Sequence, residues 1–401
     1  MTEWIRKPLS EVADFCLGKM LDQKKNKGDL LPYLANINVR WGDFDLCELR
    51  EMRFEQHEME RYGIKNGDIV MCEGGEPGRC AIWKEQLPRM MIQKALHRIR
   101  PHSCLNNVFL YYYFLYEGKN GSFSRLFTGS TIKHLPSQSL AKFEVAFPAL
   151  DIQQRIASVL SSYDDLIENN RRRIQLLEES ARMLYREWFV RLRFPGHEYV
   201  NVVGGVPEGW EKKKFSAVCS IIGGGTPKTQ IAEYWNGDIT WVVPTDVTRN
   251  DSIFLLASER KITEKGLKES SAKIVPPYTV LMTSRASVGY FAMMDHEVCT
   301  NQGFINIIPD SFEYRMYFLF NLMSRVDEIR KNAKGTTYPE ISKKVFASMD
   351  IIVPQEFLIA EFCGFALNVF DQICCLKKQN AKLAQARDLL LPKLMSGEVA
   401  V

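Results

Sequence analysis

The sequence predicts an α+β protein: two α/β domains separated by two long antiparallel coiled-coil helices, with a pseudo-two-fold internal repeat. Three observations predict it. The 401 residues lie over themselves at a shift of 206. Each half opens with short β-rich runs broken by Gly, Pro, Asp and Asn. Each half closes on a long stretch whose apolar residues alternate at spacings of four and three. Composition agrees: 46% hydrophobic and 25% charged residues are ordinary for a globular chain and exclude wholesale disorder. The net charge of +4 is too mild for histone-like nucleic-acid binding.

The repeat is anchored at both ends. Trp4 to Val12 lies over Trp210 to Val218, Gly129-Ser130-Thr131 over Gly335-Thr336-Thr337, and Phe143 to Pro148 over Met349 to Pro354. Between these anchors the register drifts, setting Tyr33 over Trp241, Asn38 over Asp246 and Gln93 over Gln302.

The first domain, residues 1–148, carries strand runs such as Gly67 to Met71 and an aromatic helix candidate, Phe109 to Phe114. A first spacer helix follows over 149–195. Its stripe is Ile156, Leu160, Tyr163, Ile167, Asn170, Ile174, Leu177, Ala181, Leu184 and Trp188. After a linker, 196–209, the second domain spans 210–353, with the strand run Tyr278 to Met282 and the aromatic helix Tyr317 to Phe320. The second spacer helix and tail occupy 354–401, with the stripe Phe362, Ala366, Val369, Ile373, Leu376, Asn380, Leu383, Arg387 and Leu390. Each stripe holds one asparagine, Asn170 and Asn380, the kind of lone polar residue that sets coiled-coil register. Such a narrow stripe favours two helices packed on each other over two helices docked separately on their own domains. Paired antiparallel, 33 residues from Ile156 to Trp188 make a rod of about 50 Å at ~1.5 Å per residue. That is something over one turn of B-DNA, roughly 34–36 Å, and suits two reading heads on separated half-sites.

At this point the sequence resembles the DNA-specificity (S) subunits of type I restriction-modification systems over essentially its whole length. Pro148 to Ala157 resembles the family's Pro-x-Leu-x-x-Gln-x-x-Ile helix start. Gly225-Thr226-Pro227, Ser284-Arg285-Ala286-Ser287-Val288-Gly289 and Asn301-Gln302-Gly303 resemble its loop signatures, and Leu389 to Glu398 its ending. The first domain departs from the pattern, with Leu17-Gly18-Lys19-Met20 and Glu73-Gly74-Gly75-Glu76-Pro77-Gly78-Arg79 in the corresponding loops. The second helix start, Pro354 to Ala360, lacks the Gln-x-x-Ile form.

The resemblance implies a non-catalytic DNA-recognition subunit, so cations for phosphates and side chains for base edges are wanted. The candidates are Lys24, Lys25 and Lys27 in a polar loop, Arg79 after a glycine-rich turn, Gln93, Lys94 and Lys133 in the first domain. In the second they are Lys228, Arg285, Asn301, Gln302, Lys343 and Lys344. Arginine is the commonest bidentate reader of guanine, which singles out Arg285. The resemblance further implies double-stranded DNA, two copies of a methyltransferase subunit and motor-nuclease subunits as partners. S-adenosylmethionine, ATP and Mg²⁺ are then expected on those partners, with no cofactor or metal on this chain.

Enzymatic readings find little support. Val275-Pro276-Pro277-Tyr278 lacks the Asp or Asn that leads the adenine-methyltransferase motif, and there is no P-loop. A fused or stand-alone restriction or methylation enzyme and a protein-only scaffold remain the competing classes. No run approaches the roughly 18–20 apolar residues that span a bilayer, and Met1 to Lys7 lacks a signal-peptide stretch. The ten cysteines contain no CxxC pair and read as reduced core thiols, so a cytoplasmic protein without a membrane partner is expected.

Overall fold

In a computed structural model, described for residues 4–22, 26–335, 337–399 and 401, the chain divides into two compact units. Unit 1 is Met1–Ile167 with Lys382–Val401, and unit 2 is Glu168–Ala381. The division falls inside both long helices.

The strands of unit 1 are β1 (Ile5–Pro8), β2 (Ala13–Leu17), β3 (Asp29–Leu34), β4 (Arg50–Phe54), β5 (Ile69–Cys72), β6 (Cys80–Ile82), β7 (Met91–Ile92), β8 (Leu96–Pro101) and β9 (Glu144–Phe147). They form a four-stranded sheet in the order β2-β8-β5-β6, a three-stranded sheet β4-β3-β7, and the pair β1-β9. Every residue of β5 is buried, as a central strand covered on both faces requires. The helix Asn107–Lys119 starts where the Asn106 side chain accepts the Phe109 amide at 3.0 Å. Seven consecutive residues, Phe109 to Leu115, are buried, so this helix is apolar all round and runs through the core.

Unit 2 repeats the plan. Its strands are β10 (Val202–Val203), β11 (Val206–Pro207), β12 (Glu211–Lys214), β13 (Cys219–Gly223), β14 (Trp235–Val242), β15 (Lys261–Ile262), β16 (Ile274–Val275), β17 (Val280–Thr283), β18 (Phe291–Ala292), β19 (Val298–Thr300), β20 (Phe304–Pro309) and β21 (Asp350–Val353). The sheet β13-β20-β17-β18 matches β2-β8-β5-β6, and β15-β14-β19-β16 matches β4-β3-β7 with one added strand. The added strand is reduced in unit 1 to a single bridge, Gly63 to Met91. Ile5 faces Phe147 across β1-β9, and Glu211 faces Val353 across β12-β21, reproducing the shift of 206 in both partners. Helix Arg315–Ser324 buries Met316 to Leu322, as its aromatic counterpart does in unit 1.

The first long helix runs Leu150–Tyr185 and passes into a π-helical turn, Arg186–Val190, short of the expected residue 195. The second runs Glu356–Met395. Gln153, fully buried, accepts the Asn106 amide at 2.8 Å and donates to the carbonyls of Pro148 (2.9 Å) and Cys104 (3.1 Å). This explains why a glutamine stands at that place in the helix-start motif. The second copy places Ile359 there, also fully buried, and packs it instead of bonding it.

Within each unit the helix segments run antiparallel. In unit 1 Arg387 pairs with Asp164, while Ile156 and Leu160 share a core with Leu391 and Leu394. In unit 2 Asn170 donates to Asn380 at 2.9 Å, and the rings of Tyr185 and Phe362 lie 5.7 Å apart. The buried face is wider than two positions in seven. Tyr185 stacks on Phe320 at 6.2 Å and Phe370 meets Phe254 at 5.4 Å, so each segment packs on its own unit as well as on the other helix.

One helix, Glu356–Met395, is long and apolar enough to cross a membrane, contrary to the expectation from sequence, because its apolar residues are interspersed with polar ones; half of its most apolar stretch is buried. Its Phe362, Ala366, Val369, Phe370 and Ile373 belong to the core of unit 2. All ten cysteines carry free thiols.

Candidate nucleic-acid interface

In unit 2 the loops marked in the sequence converge beside the ends of β13, β17 and β19. The Gly225 amide donates to the Thr300 carbonyl at 2.9 Å, and the Thr226 hydroxyl to Gln302. A Cβ on Gly224 would stand 2.0 Å from the Asn301 carbonyl oxygen, so only glycine allows this approach. The Ser284 amide donates to the Gly303 carbonyl (2.7 Å) and its carbonyl accepts from Ile341 (3.0 Å), tying the Ser284-to-Gly289 turn to both neighbours. Arg285 Nε donates to Glu340 Oε1 at 2.8 Å, with both side chains about half exposed. The Lys343 ammonium lies over Gly223, where a Cβ would be 3.1 Å from it. Lys228, Gln302, Lys343 and Lys344 are exposed around this cluster, while Asn301 is half-buried and caps the Gly303 amide at 2.8 Å. Gly225-Thr226-Pro227, the Ser-Arg-Ala turn and Asn-Gln-Gly thus come together at one edge with Arg285 among them.

Unit 1 builds the same frame from other residues. The Lys19 amide donates to Ile92 (3.0 Å), Glu73 donates to Ala95 (2.8 Å) and accepts from Leu135 (2.7 Å). These bonds equate Gly18 with Gly224, Glu73 with Ser284 and Leu135 with Ile341. They also set Gln93 against Asn301, one residue off the sequence alignment with Gln302. Lys27, Lys94 and Lys133 are exposed. Gln93 is half-buried, its side chain turned to the Ala95 amide at 3.1 Å. Arg79 does not face outward as a phosphate-seeking guanidinium: Nη1 pairs with Glu76 at 2.6 Å and Nη2 donates to the Asn36 carbonyl at 2.9 Å. The turn folds the side chain inward, leaving it 16% exposed. Lys24, Lys25 and Thr336 lie outside the described residues.

The pairing of Lys19 with Glu58 and of Glu73 with His134 escaped sequence reasoning. Lys19 is buried, its ammonium 2.5 Å from Glu58, 2.9 Å from the Arg53 carbonyl and over the Phe54 ring. Burial pushes the Glu58 carboxyl up, but the hydrogen bonds from Lys19 and the Glu55 amide outweigh it and hold the carboxyl below its ordinary value. His134 has Nδ1 3.1 Å from both oxygens of Glu73. The signal for His134 was present: at the shift of 206 it lies over Glu340. Among the described residues no three His, Cys, Asp or Glu side chains gather into a metal-binding group.

A binding unit written twice, each copy presenting loops on one frame with its own side chains, defines a class of two-headed recognition proteins. The sequence pattern of the type I restriction-modification DNA specificity domain matches residues 1–179 and again 207–362. The chain belongs to this family, whose members are non-catalytic subunits for sequence-specific DNA recognition. It is 39% identical over 170 residues to the type I restriction enzyme MjaIX specificity subunit of Methanocaldococcus jannaschii, a match spanning 42% of this chain and 39% of that protein. To the HindI specificity subunit of Haemophilus influenzae it is 23% identical over 465 aligned residues, 98% of this chain and all of that one. The crystal structure of a type I restriction-modification S subunit from M. genitalium has the same fold, with a TM-score of 0.60 and 16% identity over 98% of this chain and 96% of that one.

Proposed function

We propose that each unit reads one half of a bipartite double-stranded DNA target, and that the loop cluster around Arg285 and its unit 1 counterpart supply the contacts. The observation that carries this reading is one hydrogen-bonded loop frame, built twice with different side chains, which is what two different half-sites demand. Lys94 and Lys133 in unit 1 and Lys228, Lys343 and Lys344 in unit 2 meet phosphates; Lys24, Lys25 and Lys27 belong to the same set. Arg285 presents a fork suited to guanine O6 and N7. The two long helices form a coiled coil with register set by Asn170 and Asn380, and its length fixes the gap between the half-sites.

Partners complete the activity. Two copies of a methyltransferase subunit dock on the repeat, bringing S-adenosylmethionine and flipping the target adenine. Motor-nuclease subunits, with ATP and Mg²⁺, join them in the cytoplasm. Methylation mapping of a host with and without this gene, in the presence of its modification subunit, tests the reading. A split adenine-methylated motif with a constant gap is expected only when the gene is present. A methylome that does not change rejects it.

A further inference from the structure

Arg285 has no cationic counterpart in unit 1, since the hydrogen bonds that equate Glu73 with Ser284 set Gly74 at its position. Yet the contact between turn and loop is not lost; it is rebuilt with the carboxylate on the turn instead of on the loop. In unit 2 the turn supplies the cation, Arg285, and the following loop supplies the carboxylate, Glu340. In unit 1 the turn supplies the carboxylate, Glu73, and the loop supplies the imidazole, His134. The loop residues are equivalent by backbone as well as by number. Glu340 exchanges hydrogen bonds with Lys334 and bridges Arg285, and His134 exchanges them with Thr128 and bridges Gly74.

We propose that the Glu73–His134 pair is the base-reading pair of unit 1, with His134 the residue that touches the base and Glu73 its positioning residue. This rests on the reading that these loops face DNA. Exposure assigns the roles: the His134 side chain is 46% exposed and that of Glu73 only 18%. A carboxylate only accepts, so Nδ1 is the donor to Glu73, and in the tautomer whose one ring hydrogen sits on Nδ1 the Nε2 atom is an acceptor. An acceptor at a base edge selects an exocyclic amine, adenine N6 or cytosine N4, in the major groove. The loop behind is held from below by His97, fully buried, which bonds the Leu135 carbonyl at 2.8 Å through Nε2. Exposed Lys133 adjoins His134 in the chain, and exposed Lys94 precedes Ala95, whose carbonyl takes the Glu73 amide. The pair therefore stands among lysines suited to phosphates.

Selection from a randomised duplex pool by the full chain in complex with its modification subunits tests this. His134→Ala should lower discrimination at one base pair of one half-site by roughly tenfold, and Arg285→Ala should do so in the other half-site only. His134→Gln, which keeps an acceptor, should restore part of the loss. Glu73→Gln, which lets the amide donate to Nδ1 and turns Nε2 into a donor, should move the preferred base toward one with an acceptor, and should do nothing further in the His134→Ala background. Unchanged preference in His134→Ala and His134→Gln, with DNA affinity falling when Lys94, Lys133, Lys228 and Lys343 are all replaced by alanine, overturns the pair and keeps the interface. Unchanged affinity in that quadruple variant overturns the interface itself.

Discussion

Lys19 in unit 1 and Gly225 in unit 2 stand at the same place on the same backbone, each donating its amide to an equivalent carbonyl at 3.0 and 2.9 Å. What surrounds them differs completely. At Gly225 the backbone of Ser271 and Ala272 fills the space where a side chain would go, the nearest atoms 2.3 Å from an added Cβ, and Trp241 donates its ring nitrogen to the Gly225 carbonyl at 2.9 Å. At Lys19 that space admits a full lysine, which runs into the unit and neutralises Glu58. Carbonyl-to-amide bonds thus fix where the loops go, and side chains are left free to diverge so long as each buried charge finds a partner. Arg285–Glu340 against Glu73–His134 is the same lesson at the surface.

Lys19→Ala is the sharpest way to break the comparison. It should destabilise unit 1 by about 3 kcal/mol by stranding a largely buried carboxylate, seen as lost amide-exchange protection in β3 and β4 while β14 and β19 of unit 2 keep theirs. Because the Glu58 carboxyl is held low in the fold, its contribution is present at neutral pH and fades as pH falls through the carboxylate range, and this acid sensitivity should shrink in the variant. Equal losses in both units would mean that the pair is not local to unit 1. Gly18→Ala and Gly224→Ala sharpen the other side. Each puts a Cβ within 2.4 and 2.0 Å of a backbone oxygen, so each should cost about 1–3 kcal/mol in denaturant unfolding. Tolerance at one glycine alone would show that the two frames are not the same. The smallest effect is in the helices, where unit 1 has an ion pair, Asp164–Arg387, and unit 2 a neutral one, Asn170–Asn380. A double-mutant cycle to alanine should give a coupling of about 1 kcal/mol for the asparagines and a larger one for the ion pair; the reverse order would contradict the geometry.

Much of this arrangement was legible. The shift of 206 carries over into paired strands, and every stripe residue of both helices is buried or half-buried, because periodicity and repetition are properties of the chain itself. The loop motifs of unit 2 were marked because they resembled a known pattern. Those of unit 1 were marked only as departures from it, and the pairing of Glu73 with His134 was not legible, since the two are 61 residues apart and acquire meaning only once the Leu135 amide closes on the Glu73 carbonyl. Arg79 looked like a surface cation because nothing in its neighbourhood announces that Asn36, far along the chain, offers it a carbonyl. The width of the helix faces was misjudged for the same reason: Phe370 and Tyr185 meet partners from the sheet units that heptad spacing does not encode.

The pairs β1-β9 and β12-β21 have an evolutionary consequence. Each brings the opening strand of its sheet domain beside the strand that leads into a long helix, so the chain enters and leaves at adjacent points. A segment whose ends already touch can be lifted out and replaced without disturbing what flanks it. In such an arrangement one sheet domain can be exchanged for another in frame while the helices that flank it stay as they were.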